Sequence, residues 1–74
     1  MTKVWLLYVE YGEFWGVYSN KKKALRAALN YLNENFENEA ISNIMDLYVD
    51  TKDSFRFENF LVCEQVVVDA EDYE

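Results

Sequence analysis

The chain has 74 residues, of which 51% are hydrophobic and 18% aromatic, and its fourteen acidic and seven basic residues give a formal net charge of −7. A chain of this length forms one domain at most and buries only about 60% of the surface that its extended form exposes, so its stability is marginal. With one cysteine and no histidine, an intrachain disulfide and a Cys/His metal site are excluded, which leaves oligomerisation as the expected source of extra stability.

The N-terminal residues predict a β-hairpin. Residues 3–11 are mostly β-branched or aromatic, and they are followed by Gly12-Glu13, a pair typical of a two-residue type II′ turn. Residues 14–18 then predict the second strand. No cleavable signal sequence and no run of 18 apolar residues is present, so we expect a cytoplasmic protein.

Both faces of the first predicted strand are apolar. Strand alternation separates two sets of side chains. One set is Val4, Leu6 and Tyr8, and the other is Trp5, Leu7, Val9 and Tyr11. One short helix can cover only one of these sets. We therefore expect a homodimer that buries the second set, with an interface comprising Trp5, Leu7, Val9 and Trp15.

Two helical segments follow the hairpin. Ser19 or Asn20 is a suitable N-cap, and apolar residues at steps of three and four predict an amphipathic helix over residues 21–36. The next stretch is ambiguous, because it fits a helical period and also ends in a strand-like Leu-Tyr-Val. We interpret it as a short helix over residues 39–46 followed by extended chain.

The C-terminal part predicts strands and a charged tail. Residues 50–54 have the composition of a turn, and strands are expected from Phe55 to Glu58 and from Phe60 to Asp69. The prediction is a single α+β domain over residues 1–74 with an acidic tail, residues 69–74. Its small antiparallel sheet, formed by the N-terminal hairpin and the C-terminal strands, packs against one main helix and a shorter helical segment.

The charges are unevenly distributed along the sequence. Twelve of the fourteen acidic residues lie between Glu34 and Glu74, where Lys52 and Arg56 are the only cations, whereas the first 33 residues have more cations than carboxylates. Such a distribution produces a field that attracts a basic partner. Four clustered cations, Lys21, Lys22, Lys23 and Arg26, are too few to favour direct nucleic-acid binding by so acidic a chain.

The sequence offers little for catalysis or for a cofactor. Without histidine, a general base requires a carboxylate or a lysine with a strongly shifted pKa, which a domain this small seldom provides. Cys63 lies in mid-strand beside Glu64, whose charge disfavours a thiolate. The acidic residues around position 50 do not have the spacing of a calcium-binding loop. We therefore expect no enzyme activity and no cofactor or metal.

Part of the sequence resembles a known class of proteins. The order of hairpin, Gly16-Val17-Tyr18-Ser19 and a helix beginning through Lys23-Ala24-Leu25 is similar to small domains of bacteriophage genomes, over about a third of the chain. The small size, acidity and aromatic content also resemble phage host-takeover proteins, including DNA mimics that block the nucleoid protein HU. This resemblance implies a fold and a basic host partner, and it carries no catalytic residues.

The sequence thus predicts an inhibitor whose acidic surface competes with DNA for a basic host protein. Carboxylates two residues apart on a strand stand roughly 6.6 Å apart, near the phosphate spacing of one DNA strand. Asp69 and Glu71 have this spacing, as do Glu37 and Glu39 if that segment is extended, and Glu34 and Glu37 lie one turn apart on the predicted helix. We expect the partner to contact Glu34, Glu37, Glu39, Asp46, Asp50 and Asp53, with Asp69, Glu71 and Asp72 as a second patch. The alternative is an interaction module whose exposed aromatic surface comprises Trp5, Trp15 and Tyr18, with acidity serving solubility.

Overall fold

The predicted α+β fold class is confirmed. The computed structural model describes residues 2–58 and 60–68, which form five strands and two helices. The strands are β1 (Thr2–Val9), β2 (Glu13–Tyr18), β3 (Tyr48–Asp50), β4 (Ser54–Phe57) and β5 (Leu61–Val68), and the helices are α1 (Lys21–Asn35) and α2 (Asn38–Met45). The predicted tail, residues 69–74, lies outside the described residues.

The strands form one antiparallel sheet in the order β2-β1-β5-β4-β3. The long central ladder joins the first strand to the last, from Thr2 opposite Val68 to Tyr8 opposite Val62. Trp15 is an extra residue in β2, because Leu7 faces Gly16 and Tyr8 faces Phe14. Such a bulge bends the edge strand and interrupts its hydrogen-bonding row.

The hairpin turn differs from the predicted one. Strand β1 ends at Val9, and the backbone carbonyl of Glu10 accepts a hydrogen bond from the backbone N–H of Glu13. The two residues between them, Tyr11 and Gly12, both have a positive φ, at 62° and 75°. That is the backbone pattern of a type I′ turn, whose twist matches the right-handed twist of the flanking strands. Tyr11 therefore belongs to the turn and not to the strand face on which it was predicted.

The main helix begins and ends close to the predicted residues. The side-chain oxygen of Asn20 accepts a hydrogen bond from the backbone N–H of Lys23 at 2.8 Å, which caps the first turn. Ala24 and Ala28 are fully buried, and side chains this small let the helix lie close against the sheet. Helix α2 covers nearly the residues predicted for the shorter segment.

The core lies between α1 and one face of the sheet. Its largest fully buried side chains, below 2% exposure, are Phe55, Phe57, Leu7, Leu32, Leu61 and Cys63. The predicted dimer interface is wrong in three of its four residues, because Trp5, Leu7 and Val9 are at most 6% exposed and belong to this core. Helix α1 covers the strand face that was expected to remain open.

Helix α2 adds to the same side of the sheet. Its apolar residues Ile41 and Ile44 are partly buried against the core that α1 covers. The face that carries Leu6 and Tyr8 therefore receives neither helix. One face of the sheet is therefore left without a helix, as expected, but it is the face opposite to the predicted one.

Candidate functional site

The path of α1 brings together carboxylates from distant parts of the sequence. Strand β2 ends away from the hairpin turn, and α1 then returns over about 22 Å, at 1.5 Å per residue, to the turn. There the hydroxyl of Tyr31 donates a hydrogen bond to Oε1 of Glu10 at 3.0 Å. The C-terminal end of α1, the hairpin turn and the β4–β5 connection therefore meet at one end of the molecule.

We call this end the acidic pole and define it by five carboxylates. Glu10 and Glu13 flank the hairpin turn, and Glu58 lines a shallow groove with Glu10. Glu34 lies in the last turn of α1, and Glu37 follows one residue after its C-cap. All except the half-buried Glu10 are exposed. The pole thus combines residues from three separate stretches of sequence.

No ion pair neutralises this group in the part of the chain that the structure describes. Within residues 2–58 and 60–68, the one ion pair joins Lys21 to Asp50, away from the pole. The seven cations of the chain lie on β1, on the first half of α1, in the β3–β4 turn and on β4. Most of the positive charge is therefore separated from the pole, although Arg56 lines a groove with Glu58. The members of the two groups differ from those that the sequence suggested.

Aromatic side chains underlie and surround the pole. The rings of Trp15 and Tyr31 pack edge to face with centroids 4.9 Å apart, and Tyr31 continues to Phe36 at 6.4 Å. Phe36 packs against Phe60 at 5.1 Å. These contacts fix the end of α1 against the sheet. Trp15 remains 45% exposed and Tyr11 is fully exposed, so the surface of the pole is both acidic and aromatic.

The pKa of the Tyr31 hydroxyl is raised above its usual value. Desolvation raises the pKa of the Tyr31 hydroxyl, and the hydrogen bond to Glu10 and the charges of Glu10 and Glu13 raise it further. The neutral hydroxyl is the hydrogen-bond donor in this pair, so the field of the pole favours the form that makes the contact.

Three of the predicted partner-binding residues lie at or beside the pole. Glu34 and Glu37 belong to it, and Glu39 stands in the first turn of α2. Glu37 and Glu39 do not have the spacing of extended chain, because Glu37 caps a helix that contains Glu39. Glu34 and Glu37 are also not one turn apart on a single helix, since α1 ends at Asn35.

Two other predicted residues form a second, mixed-charge region. Asp50 ends β3 and Asp53 lies in the β3–β4 turn. Asp46, the C-cap of α2, instead precedes Leu47, whose carbonyl accepts a hydrogen bond from the backbone N–H of Glu58, and so lies on the pole side of β3. Asp50 pairs with Lys21 in the first turn of α1, beside the other helix lysines. This partial neutralisation separates the region from the pole. Asp69, Glu71 and Asp72 lie outside the described residues.

Sequence reasoning missed Glu10, Glu13 and Glu58. The first two were counted with the basic N-terminal segment, whereas the fold places them beside Glu34. A signal was available, because a helix that follows a hairpin returns toward the hairpin turn. A helix of 15 residues is long enough to reach it.

The aromatic residues of the alternative surface lie in different places. Trp5 is buried in the core, and Nζ of Lys21 lies 5.8 Å from its ring centroid. Tyr18 is partly buried against the core and crosses Gly16, where a Cβ would come within 2.7 Å of the tyrosine oxygen. Only Trp15 of the three presents a large exposed surface.

The described residues hold no arrangement for metal-assisted or thiol chemistry. Residues 2–58 and 60–68 contain no group of three potential metal-binding side chains. Cys63 is fully buried, and burial raises the pKa of its thiol to about 11. The reactive thiolate is therefore scarce near neutral pH. In the part of the chain that the structure describes, no helix has the length and apolar character to cross a membrane.

Comparison with protein-family models, with curated proteins and with solved structures gives no match.

Proposed function

We propose that the chain is a non-enzymatic, phage-type inhibitor whose acidic pole occupies the DNA-binding site of a basic host protein. The nucleoid-associated protein HU is the first candidate, and the proposal places the chain in the host cytoplasm. The observation that carries the proposal is the pole itself, five carboxylates at one end of the molecule that make no ion pair within the described residues.

The negative charge of the pole is complementary to the positive charge of a protein site that normally binds phosphates. A DNA-binding site presents several lysines and arginines that release counterions when they meet the DNA backbone. Carboxylates concentrated at one end offer the same sign of charge on a rigid support of helix and strand ends. Arg56 lines a groove with Glu58 of the pole, whereas the lysines and Arg26 lie on other parts of the molecule, so little positive charge repels a basic partner that approaches the pole.

The exposed aromatics of the pole support a second function from another class. Trp15 is 45% exposed and Tyr11 is fully exposed, and aromatic side chains commonly supply most of the binding energy of an interface. On this alternative the chain is an interaction module that binds through these rings, and the carboxylates keep it soluble. The two functions use the same end of the molecule but differ in their response to salt.

Salt dependence provides the main test of the proposed function. Binding of the chain to purified HU, measured by isothermal titration, is expected to weaken at least tenfold between about 50 and about 300 mM salt, because exposed charges are screened within about 8 Å at physiological ionic strength. At low salt, the chain should also displace a labelled DNA duplex from HU. Affinity that does not change with salt would favour the aromatic module, and a failure to displace the duplex would reject HU as the partner.

Tyr11 supplies a prediction in which stability and binding change in opposite directions. Its left-handed backbone is unfavourable for a tyrosine, and its fully exposed side chain contributes little packing. Tyr11→Asn creates the Asn-Gly pair that type I′ turns prefer. We expect the free energy of unfolding to rise by about 0.5–1 kcal/mol and the affinity for the partner to fall severalfold.

Urea denaturation and titration with the partner measure the two effects. Tyr11→Phe is the matched control, because it keeps the ring and the backbone strain and should change neither quantity appreciably. A Tyr11→Asn variant with unchanged affinity would show that the ring is not part of the binding surface.

A further inference from the structure

The sheet has one face that neither helix covers. We call it the open face, and strand alternation identifies its members from the ladder registers. Its apolar side chains are Val4, Leu6, Tyr8, Phe14, Val17, Val49, Val62, Val66 and Val68. Phe14 and Val17 are more than half exposed, and the ring of Phe14 packs edge to face on Tyr8 at 5.8 Å. The result is a contiguous apolar surface in contact with solvent.

The size of the open face fits a protein interface. The two central strands have eight residues each, about 26 Å, and five strands at about 4.8 Å spacing span about 19 Å between the outer axes. The flat area is therefore on the order of 400–500 Å² per copy, since the outer strands are shorter. Two such faces in contact approach the roughly 1,000 Å² that a specific interface needs.

Two charged residues interrupt the apolar surface. Arg56 on β4 is opposite Val62, and Glu64 lies two residues farther along β5, opposite Leu6 and Ser54. Both are exposed and line the same shallow groove. Within the described part of the chain neither has an ion-pair partner. The face thus presents one positive and one negative group at a short separation within an apolar surround.

We propose that a second copy of this chain covers the open face in a two-fold symmetric, sheet-on-sheet homodimer. A two-fold axis in the plane of contact, perpendicular to the line from Arg56 to Glu64 and passing through its midpoint, sets each arginine against Glu64 of the partner subunit. The face is therefore complementary to itself in charge as well as apolar, as an isologous interface requires. The pole lies at the end of the sheet and remains accessible.

The edges of the sheet are less suited to self-association than the open face. Strand β2 carries the bulge at Trp15, which breaks the regular row of hydrogen-bonding groups that a second strand needs. Strand β3, at the other edge, has only three residues. Contact between the open faces does not depend on either edge.

Charge reversal tests the proposed dimer. The mass of the chain is measured by light scattering with size exclusion from about 1 to about 100 µM, a range that spans the affinities of common dimers. The unmodified chain should have twice the 8.8 kDa mass of one chain. Arg56→Glu and Glu64→Arg, each alone, should raise the dimer dissociation constant at least tenfold, because like charges then oppose each other. The double variant should restore association to within about threefold of the unmodified chain.

Further variants separate the open face from other surfaces. Leu6→Lys, at the centre of the face, should yield a monomer with unchanged circular dichroism, whereas Tyr11→Ala, at the pole, should leave the dimer intact. A monomer at all concentrations overturns the proposal, as does a dimer that survives Leu6→Lys and both single reversals. Binding of HU per chain should persist in the monomeric variants, so failure of the dimer is distinguishable from failure of the proposed function.

Discussion

Phe55→Ala is expected to lower the free energy of unfolding by about 3–5 kcal/mol, the usual cost of removing a fully buried phenylalanine ring. Phe55 is 0% exposed and faces Cys63 across the β4–β5 ladder. Its ring also packs near Phe57 at 6.3 Å and Tyr48 at 6.2 Å. Truncation of this ring would leave a cavity in the core beside these side chains.

The consequence is large because the domain is small. Stabilities of 0.05–0.15 kcal/mol per residue correspond to about 4–11 kcal/mol for a chain of this length, so Phe55→Ala removes a large part of the total. Urea denaturation followed by tryptophan fluorescence reports it, since Trp5 lies in the core. The matched control is Phe14→Ala, which removes a ring that is 52% exposed. Measured at low concentration, it should cost less than about 1.5 kcal/mol.

An equal cost for the two truncations would contradict the assignment of the buried and open faces. The Phe55→Ala chain could prove too unstable to fold. That result would agree with the prediction only if Phe55→Leu, which fills most of the cavity, restores a cooperative unfolding transition. The volume-conserving variant therefore separates a packing role from a general sensitivity of this strand.

Local patterns in the sequence predicted the elements well. The Asn20 cap and the apolar period of the main helix gave its limits to within a residue, because both signals depend only on neighbouring residues. Strand alternation likewise separated the two faces of β1. The hairpin was correct, but its turn was not, because Tyr11 is an unusual residue at a left-handed position and Gly12 was assigned to the wrong place in the turn.

Long-range pairings could not be obtained from those patterns. The ladder between β1 and β5 joins residues about sixty positions apart, and no local signal specifies it. The choice of which strand face meets the helix was also undetermined, because both faces of β1 are apolar. Trp5 and Leu7 were consequently assigned to a dimer interface, although burial under α1 satisfies them within one chain.

The charge pattern was informative about sign but not about position. Counting by segment grouped Asp50 with the acidic half, whereas the fold pairs it with Lys21. The same count left Glu10 and Glu13 with the basic half, although they lie at the pole. Chain topology therefore changed the membership of the acidic surface while keeping the separation of charge.

Neutralising the pole is the variant with the largest expected effect on the proposed function. Glu13, Glu34 and Glu37 are exposed, and none makes an ion pair in the described residues. Their replacement by glutamine together should leave the fold intact, since exposed substitutions seldom cost more than about 0.5 kcal/mol each. Glu10 is kept because it accepts the Tyr31 hydrogen bond, and Glu58 because its backbone is left-handed.

The triple variant is expected to bind HU at least 30-fold more weakly at low salt, which corresponds to about 2 kcal/mol. Its affinity should also depend less on salt, because fewer charges contribute to the contact. Isothermal titration at two salt concentrations measures both effects, and circular dichroism confirms that the fold is retained.

The control removes charges from the mixed region. Asp50 and Asp53 are replaced together by asparagine, which removes two negative charges and breaks one exposed ion pair worth at most about 1 kcal/mol of stability. Because these carboxylates lie beside the lysines of α1, their loss should weaken binding by less than about threefold. Equal losses per charge removed from the two variants would show that net charge alone attracts the partner, and that the pole is not the site at which it binds.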